Sequence, residues 1–139
     1  MLIESVNLDW VKNRKFIMHD HNGFPIIMDY PNGVSASDLL PLGLIGWSSY
    51  DLVAILEKQR QNVTDLAVSA ESSRDPDPPW MFRKIHVHYK VSGFELDQSK
   101  VAKAIQLAEE KYCGVFATLK QAVKITSDFE ILETKETAA

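Results

Sequence analysis

Residues 39–56 contain Leu39, Leu40, Leu42, Leu44, Ile45, Trp47, Tyr50, Leu52, Val53, Ile55 and Leu56. On a helical wheel these side chains reach nearly every angle, and a helix that is apolar all round is buried on all sides. A chain of 139 residues has too little mass to wrap such a helix by itself, so its first half is expected to pack against a second subunit. Gly43 and Gly46 would let another backbone approach closely. Ser35-x-x-Asp38 has the form of a capping box at the helix start. Pro41 lies inside the segment and is expected to kink its opening turns by removing a hydrogen bond. The strongly apolar run, 39–47, is about half as long as a bilayer span requires and is followed by Ser48, Ser49 and Asp51, so no membrane helix is expected.

The flanking sequence switches to shorter periods. Before the helix, Ile3, Val6, Leu8 and Trp10, then Phe16 to Met18, then Phe24 to Met28 are separated by Asn13-Arg14 and Asn22-Gly23, which predicts a three-strand meander. After the polar 57–61, Leu66, Val68 and Ala70 alternate with polar residues, as do Ile85, Val87, Tyr89 and Val91, so two strands with one wet face follow. A stiff Pro-rich loop, 74–79, joins them. Asp97 caps a helix carrying Val101, Ala104, Ile105 and Ala108, which is expected to break at Gly114. A short helix over 115–121 then leads into a last strand with Val123, Ile125, Phe129 and Ile131. The predicted class is α+β in the order β(3)-α-β(2)-α(2)-β. It is read as one domain over 1–132 with a loose tail over 133–139.

Composition removes several function classes. Fifteen Lys+Arg against 19 Asp+Glu give a charge of −4, with no basic stripe for nucleic acid. The six glycines form no phosphate-cradling loop. The N-terminus has neither a basic region nor a continuous apolar core for export, so a cytoplasmic location is expected. Paired carboxylates Glu109/Glu110 and Asp75/Asp77 read as solvated surface. His19/His21 and His86/His88 are two H-x-H pairs, each able to present two imidazoles on one strand face. Without further ligands they do not make a metal site, and neither metal nor cofactor is expected. The single cysteine, Cys113, cannot form an intrachain disulfide.

Three stretches are more specific: Ser35-Ala-Ser-Asp-Leu-Leu40, Gly46-Trp-Ser-Ser-Tyr-Asp51, and Tyr112-Cys-Gly-Val115 with Thr118-Leu119. With Arg83-Lys-Ile-His-Val-His88 and Glu109-Glu-Lys-Tyr-Cys113, they make the chain resemble the OsmC/Ohr family of organic-hydroperoxide-handling proteins, in its YhfA-like branch. The likeness runs from about residue 10 to about residue 131. It implies an intertwined homodimer built around the long apolar helix.

In active members of the family, a cysteine on the buried helix attacks the peroxide and a second, in the tyrosine-cysteine motif, resolves the sulfenic acid as a disulfide. Here the second position is Cys113 and the first is Trp47. The position that the family gives to a glutamate organising an arginine holds Ser37, with Asp38 one residue on, and Arg14 is the candidate for that arginine. Ser48 and Ser49 show no base at a visible spacing that would make them nucleophiles. Three functions stay open. Cys113 alone could carry weak one-cysteine redox chemistry. A cleft lined by Trp47, Tyr50, Leu44 and Phe116, with hydroxyls from Ser48 and Ser49, could bind a small apolar molecule or a hydroperoxide. Or those aromatics are filled core in a stress-related protein without peroxidase activity.

Overall fold

The computed structural model describes residues 1–135. The chain forms two compact units, Met1–Leu40 and a second that begins at Pro41.

In the first unit, β1 (Asn7–Lys12), β2 (Lys15–His19) and β3 (Pro25–Met28) make the expected antiparallel meander. Its turns follow local chemistry. Asn13, at φ 50°, turns β1 into β2, and Gly23 takes φ 87° where a side chain would be strained. The Asp20 carboxylate accepts the N–H groups of Asn22 and Phe24 at 2.9 and 2.8 Å, closing the second turn. None of the three strands contains a fully buried residue. Ser35 and Asp38 do not form a capping box: the Ser35 side chain makes no cap bond, and its carbonyl instead accepts the Asp38 N–H at 3.1 Å across a 3-10 turn, Ala36–Asp38.

The helix α1 spans Leu39–Lys58. Pro41 therefore stands in its first turn, where the N–H groups have no intrahelical partner to lose, and the expected kink has no cause. Burial is also narrower than the sequence suggests. Only Leu44, Ser48, Leu52 and Leu56, a stripe at four-residue spacing, are buried, while Leu42, Trp47, Tyr50 and Val53 are exposed. By length and mean hydropathy (1.6), the segment Ala36–Lys58 could cross a bilayer, which the short apolar run did not suggest. Here its Leu stripe is instead part of the core of the second unit.

That core is built on β4 (Asn62–Arg74), β5 (Phe82–Phe94) and β6 (Lys124–Glu133), in the order β4-β5-β6. β4 and β5 form a long antiparallel hairpin, and β6 returns parallel to β5. A parallel neighbour needs a crossover. It is supplied by α2 (Gln98–Leu107), a π turn (Ala108–Tyr112) and α3 (Gly114–Leu119). Asp97 caps α2 by accepting the N–H groups of Ser99 and Lys100. Ile85, Val87, Tyr89 and Val91 of β5 are buried with Val101, Ala104 and Ile105 of α2 and the Leu stripe of α1. At the C-terminus, residue 133 belongs to β6 rather than to the expected tail, and 136–139 lie outside the described residues.

Candidate functional site

The π turn places the only cysteine. The Cys113 N–H donates five residues back to the Ala108 carbonyl at 2.8 Å, which ends the turn, and its extended backbone starts α3. Its Sγ accepts the Phe116 N–H at 3.4 Å, so the thiol serves as the N-cap of α3. It also lies 3.9 Å from the Leu44 carbonyl of α1, positioned to donate its proton there. Cys113 is 2% exposed. Burial pushes its thiol pKa up, and Asp51 and, when ionised, Glu109 add to the rise against the lowering by the Phe116 and Val115 N–H groups. The sulfur is thus held buried and on the protonated side.

Trp47 closes the space beside it. A Cβ added to Gly114 would lie 2.8 Å from the Trp47 ring, so the indole rests on the glycine backbone immediately after Cys113. The ring needs Gly114 because any side chain would occupy the same volume. The rest of the indole is turned outward, leaving Trp47 47% exposed.

Ser48 points the other way, into the core. Its Oγ receives a hydrogen bond from the Tyr89 hydroxyl at 3.1 Å. Tyr89 also lies 3.0 Å from Oε2 of Glu109, whose Oε1 accepts from the Ser127 hydroxyl at 3.0 Å. Glu109 is therefore not solvated surface. It is 7% exposed, and its burial raises its carboxyl pKa, with the Tyr89 and Ser127 bonds opposing and Glu110 adding to the rise. The sequence placed no base near Ser48 because Tyr89 and Glu109 are brought to it only by tertiary packing. Ser48 and Tyr89 are fully buried, so no substrate could reach this hydroxyl.

The other candidate residues fall elsewhere. Ser49 and Tyr50 line an open groove of about 570 Å³ with Gly46, Val53, Ala54 and Glu57 on the free face of α1. Nothing stands within 4 Å of a Cβ added to Gly43 or Gly46. Phe116 is half-buried against the core. Arg14 and Ser37 come together in the first unit, where they line a groove of about 610 Å³ with Phe16, Met28, Tyr30 and Val34. Asp38 lies in the 3-10 turn next to Ser37.

The H-x-H pair on β5 is committed to carboxylates. His86 Nε2 and His88 Nδ1 lie 3.0 and 2.7 Å from Oδ1 of Asp128, and His88 Nε2 lies 3.3 Å from Glu130. Among the described residues no cluster of three or more His, Cys, Asp or Glu is arranged to hold a metal ion.

Residues 29–128 match the family described as OsmC-like protein. Protein YhfA of Escherichia coli K12 is 36% identical over 126 residues, covering 88% of this chain and 94% of that one. Among solved structures, a hypothetical protein from Aquifex aeolicus VF5 superposes with a TM-score of 0.88 at 24% identity, covering 97% of this chain and all 100% of the other. The organic hydroperoxide resistance protein OhrB of Bacillus subtilis superposes with a TM-score of 0.60 at 17% identity, covering 93% and 98%. These last two likenesses concern the fold.

Proposed function

Because the chain belongs to the OsmC-like protein family, a stress-related group, we propose that it is a member in which the two-cysteine peroxide cycle has been lost. The observation that carries this is the Trp47 ring seated on Gly114 beside a buried Cys113. A peroxide cycle needs a thiolate that attacks, a pocket for the peroxide and a second thiol that resolves. The attacking position has no sulfur, the adjacent space holds the indole, and the remaining thiol is desolvated.

The test is turnover of an alkyl hydroperoxide with a dithiol reductant. The wild-type chain is expected to show none above the uncatalysed rate, and Trp47→Cys to remain poor, since Ser37 leaves any new thiolate without the family's carboxylate-supported arginine. Fast turnover by the wild type, with sulfenate at Cys113, would reverse the reading.

A second reading concerns binding. The groove of the first unit joins apolar walls, Phe16, Met28, Tyr30 and Val34, to one guanidinium, Arg14, one carboxylate, Asp29, and the hydroxyls of Ser35 and Ser37. The Asp29 carboxylate accepts the Tyr30 N–H at 2.8 Å, and the Arg14 guanidinium beside the hydroxyls suits a small molecule with an apolar body and an anionic head. Octanoate should bind with Arg14 intact and weaken about tenfold or more in Arg14→Ala, as expected for a lost charge-assisted bond, while octanol should not discriminate between them. Equal octanoate affinity for both proteins would remove the reading.

The chain is further proposed to work as a homodimer. Trp10, Ile26 and Ile27 in the first unit and Leu42, Trp47, Tyr50 and Val53 on α1 are exposed, more apolar surface than a lone domain ordinarily leaves in water. The small residues Gly43, Gly46 and Ser49 leave room for a second helix to approach. Light scattering should give twice the chain mass, and the mass of one chain would exclude the proposal.

A further inference from the structure

The hydrogen-bond chain Ser48–Tyr89–Glu109–Ser127 ties four elements together, α1, β5, the π turn and β6, with α1 joined through the Tyr89 hydroxyl and β6 through the Glu109 carboxyl. None of the ion pairs among the described residues involves Glu109. The titratable groups around it supply no counter-charge. Glu110 is on its own turn, Tyr89 comes from β5, and Cys113 closes the turn. Asp51 of α1 acts on the same thiol, and its Oδ2 is buried without a hydrogen-bond partner. β6 contributes the Ser127 hydroxyl, with Asp128 turned to the opposite face toward His86 and His88. Lys111, on the same turn, lies over the exposed Tyr112 ring at 5.4 Å.

Counting protons decides the state of this network. Tyr89 has one hydroxyl proton and two neighbours able to accept it, Ser48 Oγ and Glu109 Oε2. If Glu109 carries a proton, it donates to Tyr89, Tyr89 donates to Ser48, and Ser48 donates to the Ile45 carbonyl 3.4 Å away. Every donor then has one acceptor. If Glu109 is ionised, Tyr89 must turn to it, Ser48 loses its donor, and a charge stands in the core with only two hydroxyls to solvate it.

We propose that Glu109 is held as a neutral carboxylic acid that keeps the π turn closed and Cys113 buried, and that its ionisation opens the turn and admits reagents to the thiol. Glu109 and Cys113 stand on the same turn, and the Cys113 N–H is part of it. An ionised carboxylate has no counter-charge in the core, and its two hydroxyl donors do not replace the water it would gain outside; drawn out toward water, it carries with it the backbone that holds the sulfur. Opening requires one proton to leave Glu109, and reaction requires a second to leave Cys113.

The experiment is the pH dependence of maleimide labelling of the full chain. Below the pH at which Glu109 ionises, the wild-type rate should rise roughly 100-fold per pH unit, two protons being lost, and that of Glu109→Gln roughly tenfold, only the thiol titrating. Glu110→Gln, at the exposed neighbour, should keep the wild-type slope. Equal slopes in wild type and Glu109→Gln would overturn the proposal. Carbon-13 NMR of the Glu109 side chain reads the proton directly and needs no variant. A carboxyl resonance that stays protonated above the ordinary range, up to the pH where labelling steepens, is expected; one that titrates as ordinary glutamate would overturn the proposal even if Glu109→Gln failed to fold.

Discussion

The two sheets of this protein are both three-stranded, yet only one has a core of its own. β5 buries Ile85, Val87, Tyr89 and Val91 against helices from the same chain, whereas β1, β2 and β3 bury no residue completely. The meander has equally apolar sequence, including Trp10, Ile17, Ile26 and Ile27. Hydrophobic content and hydrophobic burial are thus separate properties: the first is local, and the second depends on which surfaces exist to cover it.

The largest effect is expected in the self-contained sheet. Leu52→Ala, at a fully buried position between α1 and β5, should cost about 2–5 kcal/mol in denaturant unfolding, by the same amount at every protein concentration. A cost below that range would mean that the core relaxes into the cavity. The matching change in the meander, Ile26→Asp with Ile27→Asp, should act through association, halving the mass in light scattering and removing the concentration dependence of the melting temperature. An unchanged mass would break the contrast between the sheets.

Gly114→Ala should cost about 1–3 kcal/mol by pressing a methyl group into the Trp47 ring. The loss should be largely restored by Trp47→Ala in the same chain. If the double variant is no better than the single one, the contact between ring and glycine is not what makes Gly114 necessary.

The smallest effect belongs to the outer face of the second sheet. The hydrogen bond from Asp128, then that from Glu130, raises the His88 pKa above its ordinary 6.5. A group with a raised folded-state value stabilises fully below its unfolded value and loses that contribution as pH rises through the folded one. Asp128→Asn should move the His88 NMR titration back toward 6.5, with little change in melting because the pair is exposed. An unmoved titration would show that Glu130 alone sustains the shift.

Much of the fold was legible in the sequence. Turn chemistry at Asn13 and Asn22-Gly23, alternation in β4 and β5, and the Asp97 cap depend on residues within a few positions of one another, and each element forms where that chemistry predicts. The misreadings arose where local pattern met position or packing. Pro41 was expected to kink α1, but as the third residue of the helix it displaces no bond. Ser35 and Asp38 have capping-box spacing, but the chain enters through a 3-10 turn. For the candidate site, Trp47, Cys113 and the pair Arg14 and Ser37 could be named from sequence. Glu109 could not, because it stands beside the surface residue Glu110 and is separated by 20 residues from Tyr89.

By itself, then, the sequence determined the order of elements, the family and the absence of a second thiol, because these are properties of residue identity and short-range spacing. The tertiary structure decided what the remaining polar groups experience. It placed the Trp47 ring on Gly114, buried Cys113 as an N-cap, and enclosed Glu109 among the hydroxyls of Tyr89 and Ser127. Solvation is the reason: a carboxyl or a thiol carries the same formula wherever it stands, but its proton affinity and reach depend on which distant side chains exclude water from it.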